Sequence, residues 1–219
     1  MKTEIAIIIF AHSLSAFAQG TFQDLNFESA NIVPIVGSPF YPYAVTVANA
    51  LPGWTVDYGS VQQTQILYNA LSLGRTAATL SADGYPGTPG PILDGNFSLE
   101  LQGGQVSVSI SQTGVIPSGT QSLFFEGAWF PGGPPPDVSI GNDNLTLFQI
   151  GGEMFAGNIS AWGGQTAQLT VTVPGGYGNY VFDDFSFSTS AVPEPSALAL
   201  TAIGGLLFAL CRRFAPKRQ

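Results

Sequence analysis

The residues that could do chemistry in this chain are almost all carboxylates. Between residues 19 and 190 twelve Asp and Glu stand against a single basic residue, Arg75, so that span carries a formal charge of −11. The only histidine is His12, the only cysteine is Cys211, and no lysine falls between Lys2 and Lys217. Ser-His-Asp or Cys-His catalysis, a His/Cys zinc site and a lysine-bearing phosphate loop are therefore excluded from the middle of the chain. Two chemistries stay open to carboxylates. One is a glycosidase-type pair of acid and nucleophile, although no run of residues points to such a pair. The other is a hard cation such as calcium, which takes carboxylate and carbonyl oxygens. Asp137, Asn142, Asp143 and Asn144 offer oxygens, but no glutamate closes an EF-hand loop there, and the stretch reads as a turn.

A sugar site needs aromatic faces and polar groups for hydroxyls. Tyr41, Tyr43 and Tyr85 lie in proline-containing segments where exposure is expected, and Arg75 is the one cationic donor. Trp54, Trp129 and Trp162 complete the aromatic set. The acidic balance argues against nucleic acid, which requires several Lys or Arg to neutralise phosphates, and against anionic lipid. Neutral sugars and calcium are the compatible partners.

The elements that must hold these groups are short strands. Charged residues make up 9% of the 219, with 27 Gly and 16 Pro, a composition that favours β-structure cut by turns. Gln105–Ser111 places Val106, Val108 and Ile110 on one face, and Gln168–Val173 does the same with Leu169, Val171 and Val173. Val181–Ser188 continues that rhythm, which predicts Asp183 on the same face as Phe185 and Phe187, and hence buried, with Asp184 pointing away. Several period-two strands with one polar face predict an antiparallel β-sandwich over residues 19–190. Gly84–Pro91 and Pro131–Pro136 read as loops, and Gln65–Leu73 fits either a short helix or a strand.

The two ends read as addresses. Lys2, an apolar stretch from Ile5 to Leu14, and Ala16-Phe17-Ala18 form a signal-peptide pattern over residues 1–18, with cleavage expected before Gln19. Residues 191–219 carry Val192-Pro193-Glu194-Pro195, then an apolar helix over 197–211, then Arg212, Arg213, Lys217 and Arg218 in a basic cluster over 212–218. The two prolines make the first part an extended tether, and the basic cluster is of the kind that stays cytoplasmic. Pro-Glu-Pro, apolar helix and terminal arginines together resemble the PEP-CTERM sorting signal of exported bacterial proteins. That resemblance implies an exosortase-type processing enzyme as partner, anchorage in the inner membrane before processing, and a cell-surface or extracellular destination afterwards.

The middle of the chain carries a second resemblance. Asn26-Phe27-Glu28, Pro52-Gly53-Trp54, Leu99–Gly104, Ile159–Leu169 and Asp183-Asp184-Phe185-Ser186 follow one another in the order seen in the galactose-binding-like jelly rolls often found ahead of such tails. It implies a structural calcium joining the opening of the domain to its last strand, through Glu28 and Asp183 or Asp184, and core positions for Trp54 and Trp162. The expected function is that of an exported, non-catalytic surface or matrix-associated protein with a structural or adhesive role. A module that binds exopolysaccharide through Tyr41, Tyr43, Tyr85 and Arg75 is the alternative, and a carboxylate glycosidase a third reading.

Overall fold

A computed structural model describes residues 21–70, 74–82, 92–129, 136–176 and 178–192. The signal-peptide pattern, Tyr85 and the tail from Pro193 onwards lie outside the described residues. Two sheets account for nearly all of the regular structure. The first has eight strands, in the order β1 (Ala44–Thr46), β4 (Gln65–Tyr68), β5 (Ala77–Ala82), β6 (Phe97–Gln102), β14 (Asn179–Ser188), β8 (Ser122–Trp129), β12 (Met154–Asn158) and β11 (Leu147–Gly151). The second has six, in the order β10 (Asp143–Asn144), β9 (Asp137–Ile140), β13 (Thr166–Val173), β7 (Val108–Val115), β2 (Thr55–Tyr58) and β3 (Val61–Gln63). A four-residue helix, α1 (Val47–Ala50), is the only α-helix among the described residues. No helix among them is long and apolar enough to cross a membrane.

The expected antiparallel pairing holds with one exception, since β4 and β5 run parallel. The ambiguous Gln65–Leu73 stretch is thus a strand at its start. The connection that leaves β4 begins over the sheet face turned away from the core, where Thr79 Oγ1 donates to the Ala70 carbonyl at 3.5 Å.

Alternation builds the core. Leu169, Val171 and Val173 of β13 are fully buried, and β7 pairs Ile110 with Val171 and Val108 with Val173. Val106, expected on that face, lies before β7 begins and is 46% exposed, because the chain is still turning there. From the other sheet come Leu80, Leu99, Leu101, Phe125 and Phe182. Each such side chain contributes roughly 1.5–3 kcal/mol through burial. Two glycines after β6 sit where backbones meet. A Cβ on Gly103 would lie 1.9 Å from the Pro174 carbonyl oxygen, and one on Gly104 2.3 Å from the Thr76 nitrogen.

The last strand departs from the predicted rhythm. Its register against β8 shifts between Asp183 and Ser186, and Asp184 stands at φ 48°. This β-bulge adds a residue on one strand and reverses the parity beyond it. Phe182 and Phe185 therefore both enter the core, and Asp183 joins Val181 on the opposite face. The expectation that Asp183 shares a face with Phe185 and Phe187 is corrected, although Asp183 is buried all the same, at 1% exposure.

Candidate functional site: an acidic seam and an aromatic edge loop

The opening segment of the domain lies against the bulge of β14, where the Phe185 N–H donates to the Leu25 carbonyl at 3.0 Å. Asp24 and Phe27 reach this position through left-handed backbone, at φ 49° and 56°. The Asp24 carbonyl accepts from Trp54 Nε1 at 3.0 Å, and its Oδ1 accepts from the Ser29 N–H at 2.8 Å. Its Oδ2 is buried without a partner, and burial raises the carboxyl above its usual range.

Glu28 reaches across to the turn before β6. Its Oε1 accepts the Asn96 and Phe97 N–H groups at 2.7 and 2.8 Å, and its Oε2 accepts from Asn96 Nδ2 at 2.8 Å. Burial pushes this carboxyl up, but the hydrogen bonds from Asn96 and Phe97 together outweigh it and hold the group below its ordinary value. Gly95, at φ 61°, passes so close that an added Cβ would lie 2.4 Å from Glu28 Oε1.

Asp183 is met by the same turn from the other side. Its Oδ2 accepts from Ser98 Oγ at 2.5 Å and from the Asp94 N–H at 3.4 Å, while Oδ1 accepts from the Asp184 N–H at 2.8 Å. Burial nevertheless pushes its carboxyl up to about 7. Asp184 is raised by burial, by the charge of Asp94, by a hydrogen bond shared with Asp94, and by Glu28. Glu126, opposite Asp183 on β8, is raised by burial and by Asp184, Asp94 and Glu153.

Glu28, Asp183 and Asp184, named from sequence, are thus brought to one seam, joined by Asp24, Asp94 and Glu126, which sequence reasoning missed. The Asp94-Gly95 turn signature was legible, but nothing local says that the turn faces Glu28. All the donor atoms are oxygens, as a hard cation requires. The oxygens of Glu28 and Asp183 already accept backbone and side-chain donors, however. No group of three or more His, Cys, Asp or Glu among the described residues stands in a metal-holding arrangement. As folded, the seam staples the opening segment and the Asp94–Asn96 turn to the last strand.

A second feature lies at the β1 edge of the larger sheet. Val33, Val36, Phe40, Tyr41 and Tyr43 are 41–87% exposed on one connection. Its backbone is closed by hydrogen bonds from Ser38 to Ile35, Tyr41 to Ser38, Tyr43 to Phe40 and Ile35 to Ala44, at 2.7–3.2 Å. Phe40, not singled out beforehand, exposes its ring beside the two expected tyrosines. Arg75 is exposed but stands just before β5, whereas Tyr43 bonds Tyr68, which pairs with Leu80 farther along that strand. The structure does not bring Arg75 to Tyr41 and Tyr43. Trp54 is 5% exposed, packing on Phe27 and Phe185, and Trp162 is half-buried against the core, as their expected core roles require.

Fold and site together define an all-β sandwich domain with an acidic seam and an exposed aromatic edge. No protein-family model matches the chain, and no curated protein does. Among solved structures it is similar to the carbohydrate-binding module TmCBM61, determined in complex with β-1,4-galactotriose. The identity is 13% and the TM-score 0.40, over 78% of this chain and 98% of that one. It is also similar to the enzymatically active domain of tailspike protein 4 of bacteriophage CBA120, with 12% identity and a TM-score of 0.42 over 77% of this chain and 21% of that one. Similarity at this level assigns the chain no function.

Proposed function

We propose that this chain is an exported surface protein whose sandwich domain binds neutral polysaccharide, without catalysis, through its aromatic edge loop. The observation that carries the reading is the exposure of Phe40, Tyr41 and Tyr43, at 47%, 57% and 41%, on a connection held by its own backbone hydrogen bonds. Large rings left in water are candidates for contact surfaces, and their apolar faces with a phenolic edge suit the C–H faces and hydroxyls of a sugar ring. A loop already ordered loses little entropy on binding. The formal charge of −11 over residues 19–190 favours a neutral glycan over a polyanion.

The test is calorimetric titration with neutral oligosaccharides following a glycan-array screen. Binding that weakens at least tenfold in Tyr41→Ala and Tyr43→Ala, with unchanged melting temperatures, supports the reading. Binding indifferent to both substitutions sinks it. Release of reducing ends, abolished by Asp183→Asn or Glu126→Gln, would instead favour the glycosidase, since those two residues are cross-strand partners on β14 and β8.

Export and sorting rest on the sequence of the two ends. Intact mass of the protein from its native cells should begin near Gln19 and end between Val192 and Pro195. A mass that retains Ala197–Gln219 would make the tail an anchor and remove the exosortase from the proposal. Calcium enters through Asp94 and Asp184, whose carboxyls share a hydrogen bond and repel each other when ionised, a repulsion that a divalent cation relieves. Millimolar calcium should then raise the melting temperature of the wild type but not of Asp184→Asn. Equal melting in calcium and in chelator would remove calcium from the reading.

A further inference from the structure

Glu100 occupies the middle of β6 on the face turned away from the core, opposite Thr79 of β5 and Val181 of β14. It is 3% exposed. Among the described residues no basic side chain attends it: by register the carboxyl that follows on the same face is Asp183 on β14, with Glu126 beyond it on β8. The β5 strand contributes none, and Arg75 before it is exposed.

Asn179, diagonal to Glu100 across the β6–β14 pair, donates a side-chain hydrogen bond to the carboxyl. Yet Glu100 Oε2 and Asn179 Oδ1 are both buried with no partner. Among the described residues only two other side-chain atoms, Asp24 Oδ2 and Ser81 Oγ, share that condition. Two orphans on two groups that already touch call for one explanation. A carboxyl and a primary amide are both planar forks. With the amide nitrogen donating to the other carboxyl oxygen, an ionised carboxylate leaves Oε2 and Oδ1 as two buried acceptors with no donor. A proton on Oε2 makes that oxygen a donor and satisfies both atoms at once.

We propose that the folded protein holds Glu100 as a neutral carboxylic acid in a closed pair of hydrogen bonds with Asn179, Nδ2–H to Oε1 and Oε2–H to Oδ1, so that a proton is part of the link between β6 and β14. Burial supports this independently, pushing the Glu100 carboxyl up to about 7 against the opposing hydrogen bond from Asn179. The link is a pH-sensitive clasp on the strand that carries Asp183 and Asp184. It closes in mildly acidic surroundings and loses its second hydrogen bond above neutrality.

Carbon-13 NMR of the protein labelled only in glutamate tests this in the wild type, and the label keeps Asp183 out of the spectrum. One side-chain carboxyl should remain neutral at pH 5.5 and titrate near pH 7, and its resonance should be absent from Glu100→Gln. The amide of that variant reproduces the clasp at every pH. Its unfolding constant should therefore lack one proton's worth of pH dependence, about 80-fold between pH 4.5 and 7. Every glutamate fully ionised at pH 5.5, or Glu100→Gln keeping the wild-type pH dependence, overturns the proposal.

Discussion

The rings of Phe182 and Phe185 stack in the core with centroids 6.3 Å apart and planes at 25°, although three positions separate them on one strand. Strict alternation would put them on opposite faces. The bulge between them makes the contact possible, and both also pack on Phe125, at 6.1 and 5.1 Å. Asp183, just before the bulge, keeps to the outer face with Val181, where Ser98 and the Asp94 turn meet it.

The bulge depends on the left-handed backbone of Asp184, a conformation that glycine adopts freely and β-branched residues resist. In calcium-free buffer, Asp184→Gly should hold stability or raise it by about 1 kcal/mol, since it also removes a like charge beside Asp94. Asp184→Val should cost about 2 kcal/mol or more. Urea unfolding of the two variants checks the ordering. A valine as stable as the glycine would mean that the bulge is not strained.

Glu28 holds the turn before β6 by three hydrogen bonds, so Glu28→Ala should destabilise by about 1–3 kcal/mol. Gly95→Ala should displace the same carboxylate and cost a similar amount. Because both act on one contact, the double variant should cost clearly less than the sum. Strict additivity in denaturant melts would show that the two do not communicate.

The pH profile follows from shifts of opposite sign. Asp183 and Glu100 are raised to about 7 from 3.8 and 4.5, so their stabilisation is full below the unfolded values and is lost as pH rises through 7. Glu28 is lowered, so its contribution is present above its unfolded value of 4.5 and is lost as pH falls. Stability should therefore peak in mildly acidic buffer and fall toward pH 7, with Asp183 and Glu100 together contributing a slope of up to about 2.7 kcal/mol per pH unit, two protons' worth, and the raised Asp24, Asp184 and Glu126 adding in the same direction. Asp183→Asn should remove one proton's worth of that slope, up to about 1.4 kcal/mol per pH unit. Unfolding midpoints from pH 4 to 9 measure it, and a maximum at pH 8 would contradict the assignment.

Gly103 is a glycine because of what it touches. Its added Cβ would collide with the Pro174 carbonyl oxygen, and that backbone cannot move without disturbing the chain between β13 and β14. Gly103→Ala should cost about 3 kcal/mol or more by overpacking, whereas Gly119→Ala, with open space but φ 79°, should cost only about 1 kcal/mol. Thermal melts of the pair should separate by several degrees.

Much of the fold was legible because strand patterning is local. Leu169, Val171 and Val173 announce a buried face by their spacing alone, and a sandwich follows from several such runs. The absence of His, Cys and Lys from residues 19–190 is equally a property of the sequence, and it excluded whole classes of chemistry before any geometry was known. Exposure of Tyr41 and Tyr43 could be read from their proline-rich setting. Tertiary structure alone decided the side of the sheet that Asp183 faces, because one left-handed residue reverses parity and leaves no mark in the hydrophobic pattern. It also decided that Glu28 meets Asn96, that Arg75 stands apart from Tyr41 and Tyr43, and that Glu100 lies beside Asn179. Glu28 and Asn96 are 68 residues apart in the chain and Glu100 and Asn179 are 79, and only the tertiary fold brings each pair together.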